Sequence, residues 1–182
     1  MGYRLREATL DDVEALRGLI ARSARSLCAA DYSSEAIEGA LQSAFGVDTS
    51  LIRDRTYYVI EADGGEIVAC GGWGRRRTLF GSDARAERDD SRLDPATEPA
   101  RIRAMFVDPA HARHGLGRKI LEHSEQAAIR EGFRALELVA TLSGVRLYEK
   151  HGYAGGAVIS HLLDNGVLIR FLPMRKVVVA PA

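Results

Sequence analysis

The sequence predicts one α/β domain, a sheet flanked by helices, and three observations predict it. The chain opens as strand, helix, helix; a β-rich hairpin occupies about residues 56–73; and from Arg101 a strand, a glycine loop, a helix and another strand follow in turn. The 182 residues suit one domain, since domains commonly run to about 100–200 residues. A hydrophobic fraction of 46% and a charged fraction of 27% match globular proteins and exclude disordered, collagen-like and fibrous classes. Twenty-five basic and 25 acidic residues give a formal net charge of zero. No global positive field is therefore present to hold nucleic acid, and any polyanion site must be local.

Taking the elements in order, Tyr3, Leu5 and Glu7 alternate with Arg4, Arg6 and Ala8 as a short edge strand. Thr9 followed three residues later by Asp12 resembles a helix N-cap box, and Val13, Leu16, Leu19 and Ile20 recur at helical spacing. A second amphipathic helix starts near Ser33 or Ser34 and carries Ile37, Ala40, Leu41 and Ala44. Thr56 to Ala62 is rich in β-formers, Asp63-Gly64-Gly65 supplies a turn, and Glu66 to Trp73 reads as the return strand. Arg101 to Val107 is a strand stopped by Asp108-Pro109. Leu116, Ile120, Leu121, Ser124, Ala127 and Ala128 share one helix face, which ends near Gly132. A strand at Ala135 to Ala140, a short helix at Val145 to His151 closed by Gly152, and a C-terminal hairpin complete the chain. The hairpin strands cover about Ala157 to Leu163 and Val167 to Met174, joined at Asp164-Asn165-Gly166. No repeat, low-complexity tract or interdomain linker interrupts residues 1–182.

Cys28 and Cys70 stand far apart and outside any Cys-x-x-Cys pair, so neither a disulfide framework nor a thiolate zinc site is signalled, and no metal is expected. The start, Met1 to Glu7, lacks the apolar core of a signal peptide, and no later apolar run is long enough to cross a bilayer. The expectation is a cytoplasmic protein without a membrane partner.

Arg75 to Pro99 breaks the pattern: Arg75-Arg76-Arg77, a stretch of Asp, Arg, Glu and Ala, then Pro95 and Pro99, with Leu79, Phe80 and Leu93 as apolar anchors. Connections longer than about 12–15 residues are usually functional or disordered. Either a flap or a mobile solvated loop fits this composition.

Ala112-Arg113-His114-Gly115-Leu116-Gly117 lies between a strand and a helix, where free backbone N–H groups and the positive end of the helix dipole can receive an anion. Arg113, His114, Arg118 and Lys119 add local positive charge. A P-loop would need Gly-Lys-Ser/Thr, but Gly117 is followed by Arg118-Lys119-Ile120. A dinucleotide fingerprint would want a small residue at Ile120 and a loop tight against the strand; only the spacing of Glu137 supports it.

With these residues in order, the sequence resembles the GCN5-related N-acetyltransferases, the GNAT family. The family pattern of a strand with a Val-x-Pro-like exit, a Gln/Arg-x-x-Gly-x-Gly/Ala loop, a long helix, a strand and a helix containing Leu/Phe-Tyr and ending in Gly-Phe/Tyr is matched by four segments here. They are Met105-Phe106-Val107-Asp108-Pro109, Arg113-His114-Gly115-Leu116-Gly117, Leu136-Glu137-Leu138, and Leu147-Tyr148-Glu149-Lys150-His151-Gly152-Tyr153. The match is strong over Arg101 to Tyr153. Ala112 stands at the family's Gln/Arg place, and Thr141, with Ser143 nearby, stands where Asn is frequent.

The resemblance implies the GNAT fold, a mixed, mainly antiparallel twisted sheet flanked by helices and splayed around an acetyl-CoA site. It implies direct acetyl transfer from acetyl-CoA, the cosubstrate, to the amine of a small molecule or peptide, without an acyl-enzyme. Met105, Phe106 and Val107 would hold pantetheine and thioester through the main chain. Arg113, His114, Gly115, Leu116, Gly117 and Arg118 would hold the pyrophosphate, with Thr141 and Ser143 on the pantetheine or phosphate arm. Tyr148 matches the tyrosine that protonates or hydrogen-bonds the departing thiolate. No glutamate stands on the strand before the loop, and Glu137 is the candidate proton acceptor. His111 and His161 are weaker candidates; Tyr32, Trp73 and Cys70 could line an acceptor pocket. A homodimer is compatible with this reading. A non-catalytic acyl-CoA sensor of the same fold is the alternative. The segment after Arg75 is expected to be a flap that shapes acceptor choice.

Overall fold

The computed structural model describes residues 2–178. Its elements are β1 (Tyr3–Glu7), α1 (Val13–Leu27), α2 (Ser34–Ala40), α3 (Thr49–Arg53), β2 (Tyr57–Ala62), β3 (Ile67–Gly74), β4 (Ala100–Val107), α4 (Leu116–Arg130), β5 (Ala135–Thr141), α5 (Val145–Lys150), β6 (Ala154–Gly155), β7 (Ile159–Leu162) and β8 (Leu168–Val177). The open sheet runs β1-β2-β3-β4-β5-β8-β6, with β7 paired to β8. Every pairing is antiparallel except β4 with β5.

Local chemistry accounts for the boundaries. The capping box of Thr9 and Asp12 forms, and leads through a 3-10 turn at Leu10–Asp12 into α1. Ser33 caps α2 by accepting the Ala36 N–H at 3.1 Å. The five-residue α3 was not anticipated from the sequence, being too short to display a periodicity; Asp48 caps it through the Ser50 N–H at 3.0 Å. β6 is likewise new, two residues long and held on β8.

Alternation along the strands builds a core on each face of the sheet. Tyr57, Val59 and Phe171 pack with Leu16, Leu19 and Ile20 of α1 and Ile37 of α2. Trp73, Ile102, Leu136 and Leu138 pack with Leu121 and Ala128 of α4 and Tyr148 of α5. At about 25 cal/mol per Å² of apolar surface removed from water, side chains of this size each stabilise the fold by roughly 1.5–3 kcal/mol.

Residues 75–99 contain no helix or strand of their own, yet they fold into an ordered flap. Its two arms join through Leu93 N–H to Arg75 O at 2.8 Å, Arg77 N–H to Ser91 O at 3.0 Å and Thr78 N–H to Asp89 O at 2.9 Å. Its tip docks on the α2–α3 loop, Ser82 N–H to Ser43 O at 2.8 Å and Asp83 N–H to Val47 O at 3.0 Å. Leu93 joins the core beside Trp73, while Phe80 packs on Phe171 at 5.7 Å between ring centroids.

Candidate active site

β4 and β5 pair only at Ala100↔Leu136 and Arg101↔Glu137; beyond those positions the strands separate and a cleft of about 590 Å³ opens between them. A bulge accompanies the separation. Between the pairs Cys70↔Phe106 and Gly72↔Arg103, two residues of β4, Ala104 and Met105, oppose Gly71 alone. Ala104 adopts φ 50°, unusual for a residue with a side chain, and its carbonyl accepts the Tyr57 hydroxyl at 2.9 Å. A Cβ on Gly71 would meet Met105 Sδ and come close to Met105 Cα at 3.3 Å, so a larger residue there would displace the bulge's methionine side chain. The extra residue inverts the alternation: Ile102 faces α4, yet Phe106, an even number of residues later, faces the α1 side.

The strand leaves this bulge through Asp108, which caps the Pro109–His111 turn by accepting the Ala110 N–H at 2.9 Å. Arg113 and Gly115 both take left-handed conformations, φ 68° and 76°, and Gly115 is the N-cap of α4 without a side-chain cap. The first amides of α4 have no acceptor within the helix, and they point with its positive dipole end toward the cleft mouth. Nothing lies within 4 Å of a Cβ built on Gly115, so its backbone conformation is what calls for glycine there. At Gly117 a Cβ would already touch Leu147 Cδ2 at 3.4 Å. Arg113, Arg118, Arg146 and Lys150 line this end, which makes it a cradle for a multiply charged anion. Ala112 lines it too, contributing no polar side-chain group.

The structure brings most of the expected site residues to this one cleft: Met105, Phe106, Val107, Arg113, Gly115, Leu116, Gly117, Arg118, Thr141, Ser143 and Tyr148 all line it. His114 does not. Its Nδ1 lies 3.0 Å from Ala112 O and its ring packs toward Tyr3. The Val107 amide already donates to Ser23 Oγ at 3.3 Å, and Ser143 Oγ donates to Asp31 Oδ2 at 2.7 Å.

Glu137, the expected proton acceptor, does not line the cleft. Alternation puts it on the face of Val139 and Thr141, which do line the cleft, but at the closed end where β4 and β5 still pair. There it forms an ion pair with Arg101. The acceptor-pocket expectation is also redistributed. Trp73 is buried against Phe133, and Cys70 is fully buried with its thiol pushed up to about 12 by burial. Tyr32 donates to Arg170 O at 2.7 Å and accepts the Leu142 N–H at 2.8 Å, tying the α1–α2 loop to β8 and to the end of β5. His111 lies 3.1 Å from the Tyr3 hydroxyl, and His161 packs on Phe80, where burial lowers its pKa. None of these five side chains lines the cleft.

Tyr148 stands at its waist. The ring is 8% exposed, packed on Tyr153, and among the described residues no protein group is recorded in a hydrogen bond with its hydroxyl. Burial raises its pKa well above the usual tyrosine value. Among the described residues lining the cleft the titratable groups are Cys28, Arg103, Arg113, Arg118, Arg146, Tyr148 and Lys150; no Asp, Glu or His is present.

Sequence reasoning missed the far end of the cleft, formed by Phe45 and Gly46 after α2 and by Leu79, Phe80 and Gly81 of the flap. It also missed what fixes that end. Arg103, 4% exposed on β4, donates to Thr78 O, Gly81 O and Asp48 Oδ2, each at 2.8 Å, while Arg88 of the flap reaches Asp48 Oδ1 at 2.9 Å. Burial alone would raise the Asp48 pKa, but Arg103, Ser50 and Arg88 hold it below the usual carboxylate value.

A parallel strand pair parted by a bulge, with an anion cradle at its mouth and a tyrosine at its waist, defines an acetyltransferase-type site. The chain belongs to the GNAT acetyltransferase family: residues 53–154 match the Acetyltransferase (GNAT) domain. Solved structures share the architecture over nearly the whole chain. A GCN5-related N-acetyltransferase from Rhodopseudomonas palustris superposes with a TM-score of 0.72 at 16% identity, covering 98% of this chain and 97% of its own. The PaiA N-acetyltransferase of Thermoplasma acidophilum, solved with coenzyme A, gives 0.64 at 14% identity over 97% and 99%. The yncA protein of Salmonella typhimurium, solved with its cofactor acetyl-CoA, gives 0.64 at 17% identity over 100% and 97%. A search of curated proteins by sequence finds no match.

Proposed function

We propose that this chain, as one acetyltransferase domain, moves an acetyl group from acetyl-CoA directly to the nitrogen of an amine acceptor. The observation that carries the reading is the single cleft joining the α4 amide cradle to the Tyr148 hydroxyl. The CoA pyrophosphate docks on the amides from about His114 to Arg118, where Arg113, Arg118, Arg146 and Lys150 offset its charge. Pantetheine runs along the main chain of Met105 to Val107, past Thr141 and Ser143. The relatives solved with CoA and acetyl-CoA support this assignment of the cosubstrate.

The amine nitrogen attacks the thioester carbonyl, a C–N bond forms, the C–S bond breaks, and the sulfur leaves as a thiolate. Tyr148 donates a hydrogen bond to that sulfur. With no carboxylate or imidazole on the cleft wall, the amine enters neutral or gives its proton to water. Two buried, unpaired cysteines suit a reducing compartment such as the cytoplasm. No helix among the described residues is long and apolar enough to cross a membrane.

Thiol release from acetyl-CoA across a panel of amines, with CoA binding followed by calorimetry, tests the proposal. Amine-dependent release is expected. CoA binding without release for any amine would instead favour a sensor.

A further inference from the structure

The far end of the cleft is built from rings. Phe45, Phe80, Phe106 and Phe171 line it with Leu27 and Leu79. The rings are already arranged in edge and tilted contacts, Phe45 with Phe106 at 5.9 Å, Phe45 with Phe171 at 6.2 Å and Phe80 with Phe171 at 5.7 Å. Phe80 is held by the flap, its ring carrying the Arg85 guanidinium at 4.0 Å while Arg85 donates to Phe80 O at 2.8 Å. The charge pattern is equally specific. The buried carboxylate of Asp48 is taken up by Arg103 and Arg88, and no acidic side chain lines the cleft.

Resting on the acetyltransferase reading, we propose that the acceptor is a primary monoamine carried on an aromatic ring, the ring seated among Phe45, Phe80, Phe106 and Phe171 and the nitrogen directed toward Tyr148. A ring entering this array extends the edge-to-face contacts that a saturated ring of the same size cannot make. A polyamine would bring a second ammonium group into a cleft whose lining offers it no carboxylate, and would be disfavoured.

The test uses the CoA-saturated protein with three amines: 2-phenylethylamine, 2-cyclohexylethylamine and spermidine. Thiol release gives kcat/KM, and calorimetry on the CoA complex gives amine affinity independently of turnover. The phenyl compound should exceed the cyclohexyl one by about three- to ten-fold, the range expected for aromatic pairing beyond area, and spermidine by about 100-fold or more. Phe80→Leu, which keeps an apolar side chain on the half-buried flap position, should erase the phenyl advantage and leave CoA affinity unchanged. Spermidine equal to or better than the phenyl compound, equal phenyl and cyclohexyl values, or failure of 2-phenylethylamine to bind the CoA complex would each overturn the assignment while leaving acetyl transfer standing. Failure of CoA itself to bind would overturn both.

Discussion

Tyr148→Phe removes one oxygen from the waist of the cleft, and the structure sets the size of the effect. Among the described residues no protein group hydrogen-bonds that hydroxyl, so folding stability should move by no more than about 0.5 kcal/mol, the usual range for a change without a named structural loss. The catalytic effect depends on whether the proton moves. Tyrosine at about 10 and a thiol at about 8.5 already make complete transfer uphill by roughly 2 kcal/mol, and burial pushes Tyr148 higher still. The thiol is raised by the same burial, which narrows the gap without reversing it. Tyr148 therefore acts as a hydrogen-bond donor to a developing thiolate. Such a bond to a charged group contributes about 1.5–3 kcal/mol, which is about 10- to 150-fold in rate. Full general-acid catalysis would reach about 10²–10⁴-fold. The assay is steady-state thiol release at saturating amine, with single-turnover measurements to establish that chemistry is limiting. The expected result is a kcat lowered within the smaller range and a KM for acetyl-CoA changed less than about two-fold. An unchanged kcat, or a fall matched by lost CoA affinity, would remove the hydroxyl from the mechanism.

Gly115→Val and Gly117→Val should each leave a folded protein, by circular dichroism, that binds CoA about 100-fold or more weakly, the loss expected from two amide hydrogen bonds to phosphate. Unaltered affinity in both would misplace the pyrophosphate. The pH profile of kcat/KM should rise with a one-proton slope and level at the acceptor's own pKa, because the neutral amine is the nucleophile and is lost tenfold per pH unit below that value. Tyr148, with its raised pKa, stays protonated throughout, so no loss is expected on the basic side up to about pH 10. A fixed limb near pH 6–7, unmoved by a less basic amine, would reveal a protein base and contradict the bare cleft wall. Replacing Asp83 to Thr97 by a short Gly/Ser linker removes Arg88 and its bonds to Asp48 and Ser82 O. Acceptor kcat/KM should drop while CoA affinity is maintained, and equal acceptor kinetics would sink the role given to the flap.

What could be read in advance divides along a physical line. Elements whose signal is local and repeated were legible: the Thr9 box, the Ser33 cap, the hairpin about Asp63-Gly64-Gly65, and the amphipathic face of α4. The cradle was legible because it depends on backbone, and glycine is the residue that advertises backbone. The bulge at Ala104 was not, since an alanine with positive φ carries no compositional mark, and the inversion it causes hides which of Met105 and Phe106 faces α1. The far end was hidden for another reason. Phe45 and Phe80 belong to separate loops, and nothing in either segment says that the other lies opposite. Glu137 shows the converse: its place on β5 is legible in the sequence, but its cross-strand ion pair with Arg101 is not.

Arg103 links these hidden features. It sits on β4 immediately before the bulge, and its guanidinium holds the flap by two carbonyls and the α2–α3 loop by Asp48. One side chain thus fixes the strand proposed to carry the thioester relative to the ring that would meet the acceptor. The pair is expensive to assemble, because two buried charges must forgo water, and a hydrophobic pair of similar volume could be as stable. Breaking it is another matter, at about 3–5 kcal/mol for leaving one buried charge alone. Stability by itself therefore does not explain why an ion pair occupies this place. Directionality does: an apolar contact would let the flap slide, whereas a planar guanidinium with three fixed acceptors holds Phe80 at one position. A displacement of about 1 Å between reacting groups can cost about 100-fold in rate, so a rigid ionic strut between thioester strand and acceptor pocket meets the tolerance that direct transfer requires.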